Sequence, residues 1–287
     1  MKKLLLLSGK GGTGKTTVAA SFLRFAEARA AADCDVDAPN LHLVTHPAGE
    51  PEHTDFLGGD KAEIDPAKCI GCGLCEKNCR FHALEMSNGK YRVNEFACEG
   101  CGVCALVCPQ QAVTLKKDVA GEQRLYEDKK SVFSTATLKM GRGNSGKLVT
   151  NVKLSMAQHA PDCPLAVIDG SPGIGCPVIA SISGVDLVLI VAEPSLSGIS
   201  DLERLVRSAE IFRTHVAVCI NKWDASPENA AAIEAFCAEH HIPFVGKVPY
   251  DKSASAAINA GKSLADIDCP ARDALHDIYV KTSQLLG

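Results

Sequence analysis

The chain has 287 residues, of which 46% are hydrophobic and 22% charged, a balance that is typical of a globular protein and argues against disorder. Its formal net charge of −4 gives no basic excess that would favour nucleic acid or an anionic membrane surface as a partner. The sequence has no apolar run long enough to cross a membrane, and its first leucines lead into a glycine loop instead of a cleavage site, so we expect a cytoplasmic protein.

Short apolar runs alternate with helix-like stretches along most of the chain. Residues 3–8 predict a buried strand, and residues 16–28, which contain no Gly or Pro, predict a helix. Further elements are predicted in the second half, with strands at 165–169, 186–192, 216–220 and 244–248 and helices at 201–212 and 228–240. This alternation indicates an α/β fold with a doubly wound parallel sheet.

Residues 61–117 interrupt the alternation and hold eight of the 14 cysteines. We therefore predict a discontinuous α/β domain made of residues 1–60 and 118–287, with residues 61–117 inserted as a separate domain at a surface connection. The pattern is weak over residues 118–150, and the glycine-rich segment 141–147 predicts a loop.

A glycine-rich loop lies between the first predicted strand and helix and fits the pattern G-x-x-x-x-G-K-[ST]. It consists of Gly9, Lys10, Gly11, Gly12, Thr13, Gly14, Lys15 and Thr16, and Thr17 follows it. Backbone N–H groups of such a loop surround phosphate oxygens, while Lys15 supplies a cation and Thr16 a hydroxyl group for Mg²⁺. We predict a nucleotide site formed by these nine residues; the alternative is a glycine-rich turn beside a helix cap.

Lys10 is a second lysine inside this loop, and a phosphate contact explains it better than a solvated side chain does. With Lys10, the loop resembles the KGGxGKT signature of the MinD, ParA, Mrp and nitrogenase iron protein superfamily of ATPases. The resemblance implies ATP hydrolysis, slow without a partner. It also implies that Lys10 reaches the partner's nucleotide across a dimer of identical chains or of paralogous ATPases.

Two acidic segments resemble the switches of that superfamily. In residues 33–40 the resemblance implies that Asp35 orients the attacking water, and the alternative is an acidic loop at a strand end. In residues 168–173 it implies that Asp169 holds Mg²⁺ through water and that Gly173 contacts the γ-phosphate.

Three residues follow the last two predicted strands, where ligands bind in open parallel sheets. They are Asn221, Pro249 and Tyr250. The resemblance implies that they hold the adenine, with the Asn221 amide serving as a paired donor and acceptor. The alternative is a pair of plain strand-end turns.

The clustered cysteines form two copies of C-x₂-C-x₂-C-x₃-C, the spacing of two-cluster bacterial ferredoxins, in which each fourth cysteine ligates the other cluster. We predict two [4Fe–4S] clusters in an α+β ferredoxin domain. One would be held by Cys69, Cys72, Cys75 and Cys108 and the other by Cys98, Cys101, Cys104 and Cys79. Zinc is the competing interpretation, but a third cysteine at the next short spacing favours a cubane.

Together, the loop and the cysteine repeats resemble MinD-superfamily ATPases with an inserted ferredoxin domain, relatives that are associated with metallocofactor handling. We predict an ATPase whose dimer switch is coupled to electron transfer or to metallocofactor or iron-sulfur handling, with a redox or assembly protein as partner. The alternatives are an iron-sulfur carrier with a structural nucleotide site and a MinD-like positioning ATPase. Cys176 is interpreted as an inert thiol. Residues 272–286 mix acidic with few basic residues, so we expect no stable membrane anchor.

Overall fold

The protein is represented by a computed structural model that describes residues 1–160 and 162–287. The chain divides into two compact units. The first consists of Met1–His53, Gln123–Thr137 and Ser145–Gly287, and the second of Thr54–Glu122 and Leu138–Asn144. The insert predicted at residues 61–117 lies within the second unit.

The described part of the chain contains the following strands: β1 (Lys2–Leu7), β2 (Ala30–Asp33), β3 (Glu52–Ile64), β4 (Leu84–Ser87), β5 (Lys90–Val93), β6 (Val113–Glu127), β7 (Val132–Leu138), β8 (Leu165–Asp169), β9 (Leu187–Ala192), β10 (His215–Asn221) and β11 (Phe244–Val248). Its α-helices are α1 (Lys15–Phe25), α2 (His42–Thr45), α3 (Leu74–Lys77), α4 (Val103–Leu106), α5 (Ser145–His159), α6 (Cys176–Ile182), α7 (Leu196–Ile211), α8 (Pro227–Glu239), α9 (Lys252–Asn259) and α10 (Pro270–Leu286). Two 3₁₀ turns lie at Trp223–Ala225 and Leu264–Asp266.

The first unit is built on a sheet in the order β11-β10-β9-β1-β8-β2-β7, followed by the end of β6. The pairs between the seven strands from β11 to β7 are parallel. In β1, Leu4–Leu7 are fully or almost fully buried, as expected for a parallel strand with both faces covered. Helices α1 and α10 pack together in the same apolar core, where Phe22 and Tyr279 meet edge to face with ring centroids 5.4 Å apart.

The second unit contains the neighbouring strands β3 and β6, which both extend into the first unit, and the antiparallel hairpin β4–β5. Helices α3 and α4 are matched single turns. Gly73 and Gly102 precede them, each with φ 79° and ψ −5°, a left-handed conformation that glycine adopts without strain. The repeat seen in the sequence is therefore repeated in the backbone.

The structure confirms the predicted parallel α/β architecture, and β8 and β11 have the predicted bounds. Residues 118–150, where the sequence pattern is weak and predicts no element, contain most of β6, all of β7 and the start of α5. The loop predicted at 141–147 ends before Ser145, where α5 begins. This helix buries an apolar face that starts at Leu148. Within the described ranges, no helix combines the length and apolar character needed to cross a bilayer.

Candidate functional site

A cavity of about 1000 Å³ opens beside the loop that joins β1 to α1, where the parallel strands end. This volume suits a nucleotide-sized ligand. Most residues of the predicted nucleotide site line it: Lys10, Gly11, Gly12, Thr13, Gly14, Lys15, Thr16, Thr17, Asp35, Asn221, Pro249 and Tyr250. Gly9 instead lines a smaller adjoining cavity, and the Gly173 N–H donates to the Ser8 carbonyl oxygen at 3.0 Å.

Asp169, the last residue of β8, connects the two polar side chains at the start of α1. One carboxylate oxygen accepts a hydrogen bond from Lys15 Nζ at 2.5 Å, and the other accepts from Thr16 Oγ1 at 2.6 Å. Asp169 is fully buried, and Lys15 is 5% exposed. Because a buried charge is tolerated only when it is paired and hydrogen-bonded, these three groups form one electrostatic unit. A carboxylate beside a hydroxyl group is also a donor set that suits Mg²⁺.

Asp33, the last residue of β2, organises the segment that follows it. Its carboxylate accepts backbone N–H groups of Asp35 at 3.1 Å and of Asn40 and Leu41 at 2.9 Å. Burial, and then the charge of its register partner Asp169, raise the pKa of Asp33 to about 7. Sequence reasoning did not assign this role, although an acid at a strand end before a polar loop is a signal for it.

Asp35 lies at the cavity, where burial is the main cause that raises the pKa of its carboxyl group and the cation of Lys15 opposes the rise. A carboxylate there can hold a water molecule in place or accept a proton from it.

Lys10 is bound within its own chain. Its Nζ lies 2.7 Å from Glu193 Oε2 and 3.3 Å from the hydroxyl oxygens of both Ser195 and Ser197. The side chains of Lys10 and Glu193 are 39% and 30% exposed, so water screens this ion pair. The three partners were not predicted as site residues.

The three residues predicted to hold adenine all line the cavity. Asn221 Nδ2 donates to the Thr13 carbonyl oxygen at 2.7 Å, so this amide contacts the loop itself. The Tyr250 N–H donates to Asp224 Oδ1 at 2.7 Å, and the Tyr250 residue is 53% exposed. Pro249 lines the same cavity.

The eight clustered cysteines line two separate small cavities in the second unit. One is lined by Cys69, Cys72, Cys75 and Cys108, and the other by Cys79, Cys98, Cys101 and Cys104. Each cavity therefore combines three cysteines of one repeat with the fourth cysteine of the other.

Backbone N–H groups point at the sulfur atoms. Ala83 donates to Cys79 Sγ at 3.4 Å, and at the matching place in the other repeat Ala112 donates to Cys108 Sγ at 3.3 Å. Such donors stabilise thiolates that bind iron, so the chemistry of the two quartets fits clusters. Among the residues that the structure describes, no three His, Cys, Asp or Glu side chains are grouped to hold a single metal ion. In a cubane, by contrast, each iron takes one protein sulfur.

The mostly parallel sheet and the loop between β1 and α1 define an α/β P-loop NTPase. Residues 4–264 match the CbiA family, described as the CobQ/CobB/MinD/ParA nucleotide binding domain, and the chain belongs to this family. An uncharacterized Methanocaldococcus jannaschii protein, MJ0578, is 30% identical over 289 aligned positions, which cover 99% of this chain and 97% of the relative.

Solved structures share the fold. The septum site-determining protein MinD of Pyrococcus horikoshii, complexed with Mg-ADP, has a TM-score of 0.60 and 15% identity, covering 100% of this chain and 97% of that one. A chain of the MinC:MinD cell division protein complex of Aquifex aeolicus has a TM-score of 0.58 and 16% identity, covering 99% of this chain and 96% of that one. These comparisons support the P-loop ATPase fold over the whole chain and leave the cluster domain a prediction.

Proposed function

We propose that the protein is a Mg²⁺-dependent ATPase of the MinD/ParA type that works as a nucleotide-driven dimer switch. The observation that carries this proposal is the joint hydrogen bonding of Lys15 and Thr16 to Asp169 beside a cavity of about 1000 Å³. The Mg-ADP complex of the P. horikoshii MinD supports the choice of ligand.

Each residue of this cluster has a task in phosphoryl transfer. Lys15 would neutralise phosphate charge, and Thr16 and Asp169 would hold Mg²⁺, which when bound neutralises charge on the phosphate oxygens. Asp35 would hold the attacking water or take its proton. Catalysis of this kind depends mostly on positioning and charge, and Asp33 fixes the backbone on which Asp35 stands.

The test is ATP binding by calorimetry together with the rate of phosphate release. We expect Lys15→Ala to abolish binding, and Asp35→Asn to bind ATP but release phosphate about 100-fold more slowly, the scale on which a positioned base contributes. Lys281→Ala, an exposed position on α10, is the control and should behave as wild type. Equal turnover by all variants would refute the proposal.

A second function is favoured by the two cysteine quartets and their N–H donors. The second unit would hold two [4Fe–4S] clusters, which supply one-electron chemistry, and a redox or cofactor-assembly protein would be the partner. The likeness to MinD supports an ATPase switch that acts without iron-sulfur clusters. It also fits the alternative of a positioning ATPase. The MinC:MinD complex is a precedent for binding to a protein partner.

Iron and sulfide analysis of protein purified without oxygen tests the clusters. We expect about eight irons per chain in wild type. Cys72 and Cys101 are exposed ligands of different quartets, so Cys72→Ser and Cys101→Ser should each lose about four irons. Cys176→Ser is the control, because this exposed thiol at the start of α6 belongs to neither quartet. Colourless protein that contains zinc would support the competing interpretation.

A further inference from the structure

The two cysteine quartets of the second unit have equivalent ligands but different surroundings. The first quartet consists of Cys69, Cys72, Cys75 and Cys108, and the second quartet of Cys98, Cys101, Cys104 and Cys79. At three of the four positions the two quartets match in exposure. They differ at the first cysteine of each repeat, because Cys98 is buried and Cys69 is half-buried.

The two repeats also lie against different neighbours. Gly71 and Gly100 occupy matching places and have φ of 68° and 63°. A Cβ atom at Gly71 would meet the Gly89 carbonyl oxygen, in the turn between β4 and β5. A Cβ atom at Gly100 would instead meet the Asp60 carbonyl oxygen of β3. At this place the first repeat therefore packs against the hairpin and the second repeat against β3.

The sulfur atom of Cys98 accepts two backbone hydrogen bonds. The Ala62 N–H of β3 donates to Cys98 Sγ at 3.5 Å, and the Gly100 N–H donates to the same atom at 3.4 Å. Within the described residues, no backbone N–H donates a hydrogen bond to the Sγ of Cys69, the counterpart of Cys98 in the first repeat. The second quartet thus has two donors that the first quartet lacks at the matching place.

A lysine adds a positive charge to the second quartet. Lys61, the partly buried neighbour of Ala62 in β3, donates from Nζ to the Cys98 carbonyl oxygen. The other charged residues within or next to the two repeats are all exposed: Lys68, Glu76, Lys77, Arg80 and Glu99. Water and salt screen these exposed charges, whereas the partly buried ammonium group of Lys61 is screened less.

The N–H donors and the lysine both favour the reduced form of a cluster in the second quartet. Reduction adds one electron, and hence one negative charge, to the iron and sulfur atoms. N–H dipoles that point at sulfur and a nearby cation stabilise this charge, and they act more strongly where water is excluded. Burial of Cys98 alone would disfavour the added charge, but here fixed donors replace the water. Hydrogen bonds to sulfur and net charge are among the factors that set the potential of a cluster.

We propose that the cluster of the second quartet has the higher reduction potential, so that a chain that accepts one electron from a one-electron donor carries it there. The step transfers one electron and breaks no bond. The cluster of the first quartet is then the one that gives up its electron more readily, and Lys61 increases the difference between the two. The inference rests on the proposed iron-sulfur function and gives the two clusters different roles.

Chains that keep a single cluster separate the two potentials. Cys101→Ser leaves the first quartet intact, and Cys72→Ser leaves the second quartet intact. Electrochemical titration followed by EPR spectroscopy measures the potential of each remaining cluster. We expect the higher potential in Cys72→Ser, with a ratio of reduced to oxidised cluster at least about tenfold larger at the same applied potential, which corresponds to about 59 mV for one electron. Equal potentials, or a higher one in Cys101→Ser, would overturn the inference.

A charge change that keeps both clusters provides a second measurement, which decides the question if a serine variant loses both clusters. Lys61→Met should lower the higher of the two potentials, by a factor of about 3 to 10 in the same ratio, and leave the lower one unchanged. Lys116→Met is the matched control, because this exposed lysine of β6 pairs with Glu63 and lines neither cysteine cavity. Wild-type potentials in Lys61→Met, or a change in the lower potential alone, would contradict the proposal.

The same measurements distinguish this inference from the function on which it rests. Wild-type protein that contains no iron would refute the proposed clusters, and the inference with them. Two clusters that titrate in the reverse order would refute the inference alone and leave the proposed iron-sulfur function in place.

Discussion

Asp33 shows how one buried carboxyl group couples the candidate site to pH. Its pKa of about 7 lies above the ordinary 3.8, because burial and the neighbouring Asp169 disfavour the charged form. Between about pH 4 and pH 7, the native state keeps a proton that the unfolded chain has released. The free energy of unfolding therefore decreases as the pH rises through this window.

We predict that Asp33→Asn, which is neutral at every pH, loses less stability than wild type when the pH is raised from 5 to 7. One proton changes the free energy of unfolding by at most about 1.4 kcal/mol per pH unit, so over these two pH units the difference should be roughly 2 kcal/mol. Urea denaturation at both pH values measures it. Asp277→Asn, an exposed change on α10, should follow wild type. Parallel pH dependence in all three proteins would contradict the raised pKa.

Helices α5 and α6 are joined by a lysine that caps the end of α6. Lys153 Nζ donates to the carbonyl oxygens of Ala180 at 2.9 Å, Ser181 at 2.6 Å and Ser183 at 2.5 Å. These carbonyls have no partner further along the helix, and a cation at a helix C-terminus also stabilises its dipole. Since α6 follows residues 168–173, Lys153 anchors the C-terminal end of the helix that comes after the predicted switch.

We predict that Lys153→Met, which keeps most of the unbranched side chain but removes its donors, lowers the free energy of unfolding by about 1 to 3 kcal/mol. Burial lowers the pKa of Lys153 to about 8, so the measurement belongs at pH 6.5, where the ammonium group is charged. Lys281→Met removes an exposed lysine from α10 and should change stability little. Equal losses in both variants would argue against the cap.

The elements that sequence reasoning found are those with a strong pattern. Strand β1 is a run of buried leucines, and the spacing of glycines and Lys15 marks the loop after it. Helix α5 is not predicted, because the glycines before its apolar residues indicate a loop. The helical spacing is nevertheless present, with intervals of one, three and four between the buried residues Leu148, Val149, Val152 and Met156. The long strands β3 and β6 carry many polar residues and lack the apolar run of a buried parallel strand.

Side-chain partners were less predictable than motifs. The spacing of the cysteines predicts two quartets, and the members of each quartet line one cavity. The contacts Lys10–Glu193 and Asn221–Thr13 join residues 183 and 208 positions apart, respectively, and only the folded sheet brings them together. A motif fixes the chemistry of a residue, whereas tertiary structure decides what it contacts.

For the protein as a whole, a dimer that closes through Lys10 must first break the contact of Lys10 with Glu193. We predict that Lys10→Ala still binds ATP but does not dimerise with it, and that Glu193→Gln dimerises at lower concentration because the lysine is released. Sedimentation velocity with Mg²⁺ and a non-hydrolysable ATP analogue measures both. Arg204→Ala on α7 is the control. Dimerisation of Lys10→Ala at the wild-type concentration would exclude this role.

Coupling between the two proposed functions has a thermodynamic test that needs no knowledge of the partner. If ATP changes the equilibrium between oxidised and reduced clusters by some factor, the oxidation state must change the affinity for ATP by the same factor. We therefore predict a shift of the reduction potential on adding ATP and Mg²⁺, and a matching ratio of ATP dissociation constants for oxidised and reduced protein. A tenfold ratio corresponds to about 59 mV for a one-electron cluster. Lys15→Ala should keep the clusters and lose the shift. If wild type kept both its potential and its ATP affinity, the clusters and the ATPase would be independent, and the positioning ATPase would be the better description of this chain.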